Sequence, residues 1–96
     1  MTYTIDEIKK LAIPLASEYK IKSLSLFGSY SKGEANEDSD LDFVMDKGDL
    51  KGIEYFSLLD KLEKTFNCHV DLISKGSSNK KFLKSIEKDE VLIYER

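Results

Sequence analysis

Three aspartates and one glycine–serine pair are the residues whose types and spacing can do chemistry in this chain. Asp40 and Asp42 flank a single leucine in Ser39-Asp40-Leu41-Asp42. On a strand, alternation puts both carboxylates on one face, with Cα atoms about 6.6–6.8 Å apart. Carboxylates sharing a face repel each other unless a cation sits between them or solvent screens them. Hard oxygen donors so arranged suit Mg²⁺ or Mn²⁺, with substrate phosphates completing the shell. The plainer alternative is the solvated polar face of an edge strand. Asp71 lies in the apolar run Val70-Asp71-Leu72-Ile73. A carboxylate there is costly to bury unless it is paired or metal-bound. If its strand neighbours that of Asp40 and Asp42, the three carboxylates converge and can hold two metals for a phosphoryl or nucleotidyl transfer.

Gly28-Ser29 is the second feature. Gly28 allows a sharp turn with no Cβ in the way, so backbone amides can approach a phosphate, and Ser29 adds a hydroxyl donor. Alone, such a pair is most often just a turn. His69 is read as structural or solvated, because its sequence neighbours carry no other metal ligand. Together with Cys68 it is too small a set for a zinc site, which takes about four ligands. Tyr30 is read as packing, and Glu34, Glu37 and Asp38 as a solvated acidic loop.

The elements that must position these residues follow from spacing. Thr4-Ile5-Asp6-Glu7 fits a capping box, and apolar residues at Ile5, Ile8, Leu11, Ala12, Leu15, Ala16 and Tyr19 recur with helical period. Pro14 interrupts that helix, removing a backbone donor. Strands are expected over 22–27, 40–45, 68–73 and 91–94, and helices over 53–66 and 80–88, with a loop over 75–79. In the second strand Leu41, Phe43 and Met45 share one face, and Asp40, Asp42 and Val44 the other. Strands and helices alternate, which makes the fold class α/β (α+β).

Composition narrows the function. With 96 residues the chain is expected to be one domain, 1–96, with 41% apolar residues to form its core. Eighteen acidic against 15 basic residues give a net charge of -3, which disfavours a direct grip on long nucleic acid. The single cysteine allows no internal disulfide. No apolar run approaches the ~20 residues of a membrane span, and the N-terminus lacks the pattern of a signal peptide, so the expected location is cytoplasmic.

Leu26-Phe27-Gly28-Ser29-Tyr30-Ser31-Lys32-Gly33-Glu34-Ala35, followed by Asp38-Ser39-Asp40-Leu41-Asp42-Phe43, resembles the signature of the polymerase-β-type nucleotidyltransferases. Within them the chain is most similar to the minimal nucleotidyltransferases, the antitoxin partners of HEPN-domain toxins. The resemblance implies a small mixed sheet flanked by helices. It further implies that Gly28 and Ser29 contact nucleotide phosphates, with Lys32 beside them where the family commonly has arginine. Lysine is a point charge without the planar fork. Asp40 and Asp42 would bind the Mg²⁺ ions bridging an ATP triphosphate. Asp71 would complete the second metal site and accept the proton of the attacking hydroxyl.

Larger relatives append a domain for the acceptor, and 96 residues leave no room for one, so the acceptor is expected to be a partner. The leading expectation is AMP transfer from ATP to a hydroxyl, a tyrosine, of a HEPN ribonuclease toxin, with the chain acting as antitoxin. The competing expectation is a binding module that neutralises the toxin by complex formation alone, through the terminal strand or the Tyr55-Phe56 helix. A homodimer or a hetero-oligomer with the toxin fits either. Transfer to a small molecule ranks lower.

Overall fold

The computed structural model describes residues 2–36, 39–77 and 79–96. Three sequence assignments touch positions outside them: Met1, the acidic-loop pair Glu37 and Asp38, and Ser78 of the expected loop. Helix α1 covers Ile5–Glu18 and starts on the expected capping box: the Glu7 amide donates to Thr4 Oγ1 at 3.1 Å, and the Thr4 amide to Glu7 Oε1 at 2.9 Å. One helix runs through Pro14, whose ring faces solvent. Strand β1 (Ser23–Phe27) leads to the Gly28 turn, and β2 (Leu41–Asp46) returns beside it. Helix α2 (Gly52–Phe66) then crosses to β3 (Val70–Ser74). A single 3₁₀ turn at Lys75–Ser77 occupies part of the expected loop. A short helix, α3 (Lys80–Ile86), precedes β4 (Val91–Glu95).

The sheet order is β3-β2-β1-β4. Neighbours β1–β2 and β1–β4 are antiparallel, and β2–β3 is parallel. A parallel pair needs a crossover long enough to return the chain to the same end, and α2 supplies it. The fold class is therefore α+β with a mixed sheet, as expected.

One sheet face carries the core. Leu24 and Leu26 of β1, Leu41, Phe43 and Met45 of β2, and Val70 and Leu72 of β3 lie buried against Ile8, Ala12 and Ala16 of α1 and Leu58, Leu62 and Phe66 of α2. Burying each large side chain here contributes about 1.5–3 kcal/mol. Tyr3 locks the two helices together: its ring meets Phe66 edge-on at 5.2 Å, and its hydroxyl donates to the Phe66 carbonyl at 2.6 Å. Tyr30 is also part of this core, which bears out the packing reading. Leu11 departs from its stripe and is 37% exposed, at the margin of the helix face.

The opposite face holds the even positions of β2. Asp42 and Val44 sit there, opposite Phe27 and Ser25 of β1 and Asp71 and Ile73 of β3. Helix α3 covers only part of this face, through an edge-on contact of Phe82 with Phe27 at 6.0 Å. The second face is itself buried at Val44 and Ser25 and opens only toward Asp42 and Asp71. Replacing Leu62 with Ala should lower the unfolding free energy by about 3 kcal/mol in urea denaturation. Leu11→Ser, at the margin, should change it by no more than about 0.5 kcal/mol.

Candidate active site

The parallel ladder assembles the acids. Its first rung is the Leu41 amide donating to the His69 carbonyl at 3.1 Å, which sets Asp40 beside His69 at the mouth of the sheet. Two steps along, Asp42 lies directly opposite Asp71. All three sequence-identified aspartates lie at this end of the ladder; β2 is an inner strand rather than an edge, while Asp40 and Asp71 are exposed to solvent. The strand begins at Leu41 rather than Asp40, and this leaves Asp40 on the more open rim.

The electrostatics record the crowding. Asp42 is pushed up to about 6. Burial is the largest cause, followed by a hydrogen bond with Asp71 and by the charges of Asp71 and Asp40. His69 opposes the rise. The Asp71 charge also raises the Tyr55 hydroxyl, after burial, and the Asp40 charge raises the Cys68 thiol, again after burial. Such a pocket of negative potential is what a divalent cation relieves.

Gly28 closes the site from the β1 side. It adopts φ +76, and a Cβ built on it would lie 2.5 Å from Asp42 Oδ2. A side chain here is therefore excluded both by backbone conformation and by the carboxylate pressed against it. The following turn is held by the Ser31 hydroxyl donating to the Gly28 carbonyl at 2.7 Å and by the Glu34 amide donating to the Ser29 carbonyl at 2.9 Å. Gly28 thus lies against the Asp42 carboxylate, with Ser29 following it in the turn. Lys32 points elsewhere: its Nζ is 3.6 Å from Asp89 Oδ2, across the turn before β4.

His69 is solvent-exposed, in keeping with the solvated reading, but it has ligand-type neighbours in space. It is not an isolated histidine, because Asp40, His69 and Asp71 each offer a ligand atom within 4.8 Å of the others. Its Nε2 lies 3.1 Å from Asp71 Oδ1, and this hydrogen bond is the main cause that raises the imidazole pKa. The available signal was the shared face of His69 and Asp71. What could not be read was the parallel register that brings Asp40 alongside. The oxygen-rich donor set and the glycine cradle against Asp42 are chemistry that a hard divalent cation fits, and Asp40, Asp42 and Asp71 are the residues that would hold one.

A strand-end Gly-Ser turn, two alternate acids on the adjoining strand and a third acid on the parallel neighbour form the arrangement expected of a nucleotidyl-transfer site. The family model described as polymerase beta, nucleotidyltransferase, matches residues 9–96, and the chain belongs to that family. It is accordingly an enzyme of the nucleotidyltransferase class. A Methanocaldococcus jannaschii protein named as a candidate protein adenylyltransferase is 41% identical over 99 residues, covering 95% of this chain and 97% of its own length. A solved toxin–antitoxin structure with AMP-PNP superposes with a TM-score of 0.80 at 25% identity, over 92% of this chain and 73% of that one. A complex of tri-AMPylated Shewanella oneidensis HEPN toxin with MNT antitoxin shares the fold, with a TM-score of 0.75 at 22% identity over 97% of this chain and 74% of that one. Among the described residues no helix is long and apolar enough to cross a membrane.

Two outcomes test the site. Gly28→Ala should cost about 1–2 kcal/mol of stability from its left-handed backbone and displace the Asp42 carboxylate. Calorimetry should then register loss of Mg²⁺–ATP binding in protein that still melts cooperatively. The second outcome concerns pH. Because the folded-state pKa of Asp42 is raised from 3.8 to about 6, the folded chain holds this proton more tightly than the unfolded one. The corresponding stability is fully present below pH 3.8 and is lost as pH rises through about 6. Metal-free Asp42→Asn should therefore melt above the wild type at pH 7.5, and level with it near pH 4. An unchanged gap across that range would refute the assignment.

Proposed function

We propose that this protein transfers AMP from ATP to a tyrosine hydroxyl of a HEPN-domain toxin, and acts as that toxin's antitoxin. The observation that carries the reading is the convergence of Asp40, Asp42 and Asp71 beside Gly28, on a sheet face that α3 leaves partly open. The candidate adenylyltransferase of similar length supports the reaction class, and the toxin–antitoxin structures support the kind of partner.

The chemistry follows from the placement. The acceptor oxygen attacks the α-phosphorus, a new P–O bond forms, the bond to the β-phosphate oxygen breaks, and pyrophosphate leaves. Asp71, at the open side of the pair with Asp42, accepts the hydroxyl proton. Asp40 and Asp42 would hold Mg²⁺, with Asp71 completing the set, and the bound metal would neutralise charge that develops on the phosphate oxygens. Gly28 and Ser29 orient the phosphates from the strand end. Lys32 contributes to phosphate binding only by leaving Asp89, an exposed ion pair of little intrinsic strength.

Purified protein, partner toxin, ATP and Mg²⁺ should together yield toxin whose intact mass rises by one or more AMP units, mapped to tyrosine by peptide fragmentation. Asp40→Ala combined with Asp42→Ala should slow this by about a thousandfold or more, because several kcal/mol of charge stabilisation is lost. If that double variant still neutralises the toxin in cells, complex formation rather than transfer is the antitoxin mechanism.

A further inference from the structure

Glu63 has no place in the chemistry derived so far, yet it lies behind His69. The Nδ1 of His69 is 3.4 Å from Glu63 Oε2, and the same carboxylate oxygen accepts the Val70 amide at 3.3 Å. Glu63 is thereby tied to the start of β3, and the imidazole is held between two carboxylates, with Nε2 facing Asp71 Oδ1 at 3.1 Å. In the metal-free chain Nε2 is engaged by Asp71; a cation seated between them would displace that proton and turn Nε2 from donor to ligand, while Glu63 stays beside Nδ1. A carboxylate behind the non-ligating nitrogen is how proteins orient metal-ligating histidines.

We propose that Asp40, His69 and Asp71 form a mixed nitrogen–oxygen site for a divalent transition cation, with His69 Nε2 as ligand and Glu63 as its positioning residue. The site prefers Mn²⁺ over Mg²⁺. Metal–ligand bonds of about 2.1 Å put cis ligand atoms about 3.0 Å apart, and the His69–Asp71 separation of 3.1 Å already matches that edge. Asp40 completes the set within 4.8 Å. All three side chains are exposed, so small rotations close the remaining gap and waters can fill the outer positions. Imidazole suits first-row transition metals, whereas Mg²⁺ keeps to oxygen and water. The nitrogen donor therefore discriminates between two cations that three carboxylates alone would hold alike.

The inference rests on the metal reading above in that Asp40 and Asp71 serve both sets. Its test uses neither nucleotide nor partner, so it stands or falls apart from AMP transfer. Mn²⁺ alone is titrated into the metal-free protein by calorimetry, with Mg²⁺ in parallel. Pulsed electron paramagnetic resonance then reads whether the bound Mn²⁺ carries imidazole nitrogen coupling. The wild type should bind Mn²⁺ at least about tenfold more tightly than Mg²⁺, with nitrogen coupling present. His69→Gln should abolish the coupling and weaken Mn²⁺ about tenfold, while leaving Mg²⁺ within about twofold. Glu63→Gln should keep the coupling and weaken Mn²⁺ by about tenfold. Cooperative melting of each variant checks its fold. Absence of nitrogen coupling, equal loss of both metals in His69→Gln, or no Mn²⁺ binding would each overturn the site. Unchanged Mn²⁺ affinity in Glu63→Gln would overturn its positioning role.

Discussion

Everything in this molecule that bears on chemistry depends on the parallel pairing of β2 with β3. The pairing sets Asp42 opposite Asp71 and, through the Leu41–His69 rung, Asp40 beside His69. The core enforces this register. Leu41, Phe43, Met45, Val70 and Leu72 must all point toward α1 and α2. A slip of one residue would turn that whole set out to solvent and the aspartates inward. Packing on one face thus imposes repulsion on the other. The raised Asp42 pKa reflects burial first and the neighbouring carboxylates after it, and the hydrophobic layer beneath offsets that cost.

Around that constraint the remaining pieces take their positions for simple reasons. Helix α2 serves both as crossover and as cover: it returns the chain for a parallel strand while burying Leu58, Leu62 and Phe66. It also carries Glu63 to the point where β3 begins, and so a core helix reaches the edge of the site. Helix α3 has seven residues and meets the second face through Phe82, with Leu83 and Ile86 half-buried beside it. The end of that face that carries Asp42 and Asp71 is left more open.

Most of the architecture was legible because local signals agreed with one another. The capping box of Thr4 and Glu7, the period of Ile8, Ala12 and Ala16, and the alternation of Leu41, Phe43 and Met45 each point to the element that forms. Boundaries moved by a residue or two where ends are set by partners: β2 starts at Leu41 because its first rung is to His69. Leu11 fitted the helical period and still lies at the margin, since period alone does not say how wide the covering layer is. His69 is solvated as read, but its surroundings were hidden for a similar reason. Its neighbours in sequence carry no further ligand, whereas its neighbours in space are Asp40, Asp71 and Glu63.

What the sequence by itself determined was the set of parts: a glycine before Ser29, two acids sharing a strand face, a third acid in an apolar run, and the family signature that joins them. Only the tertiary structure decided which of these touch. It paired Lys32 with Asp89, pressed Asp42 against Gly28, and made His69 a neighbour of the carboxylates. The reason is physical. Strand alternation is a local property that any short segment carries, but strand order and register are settled by how distant apolar residues share one core.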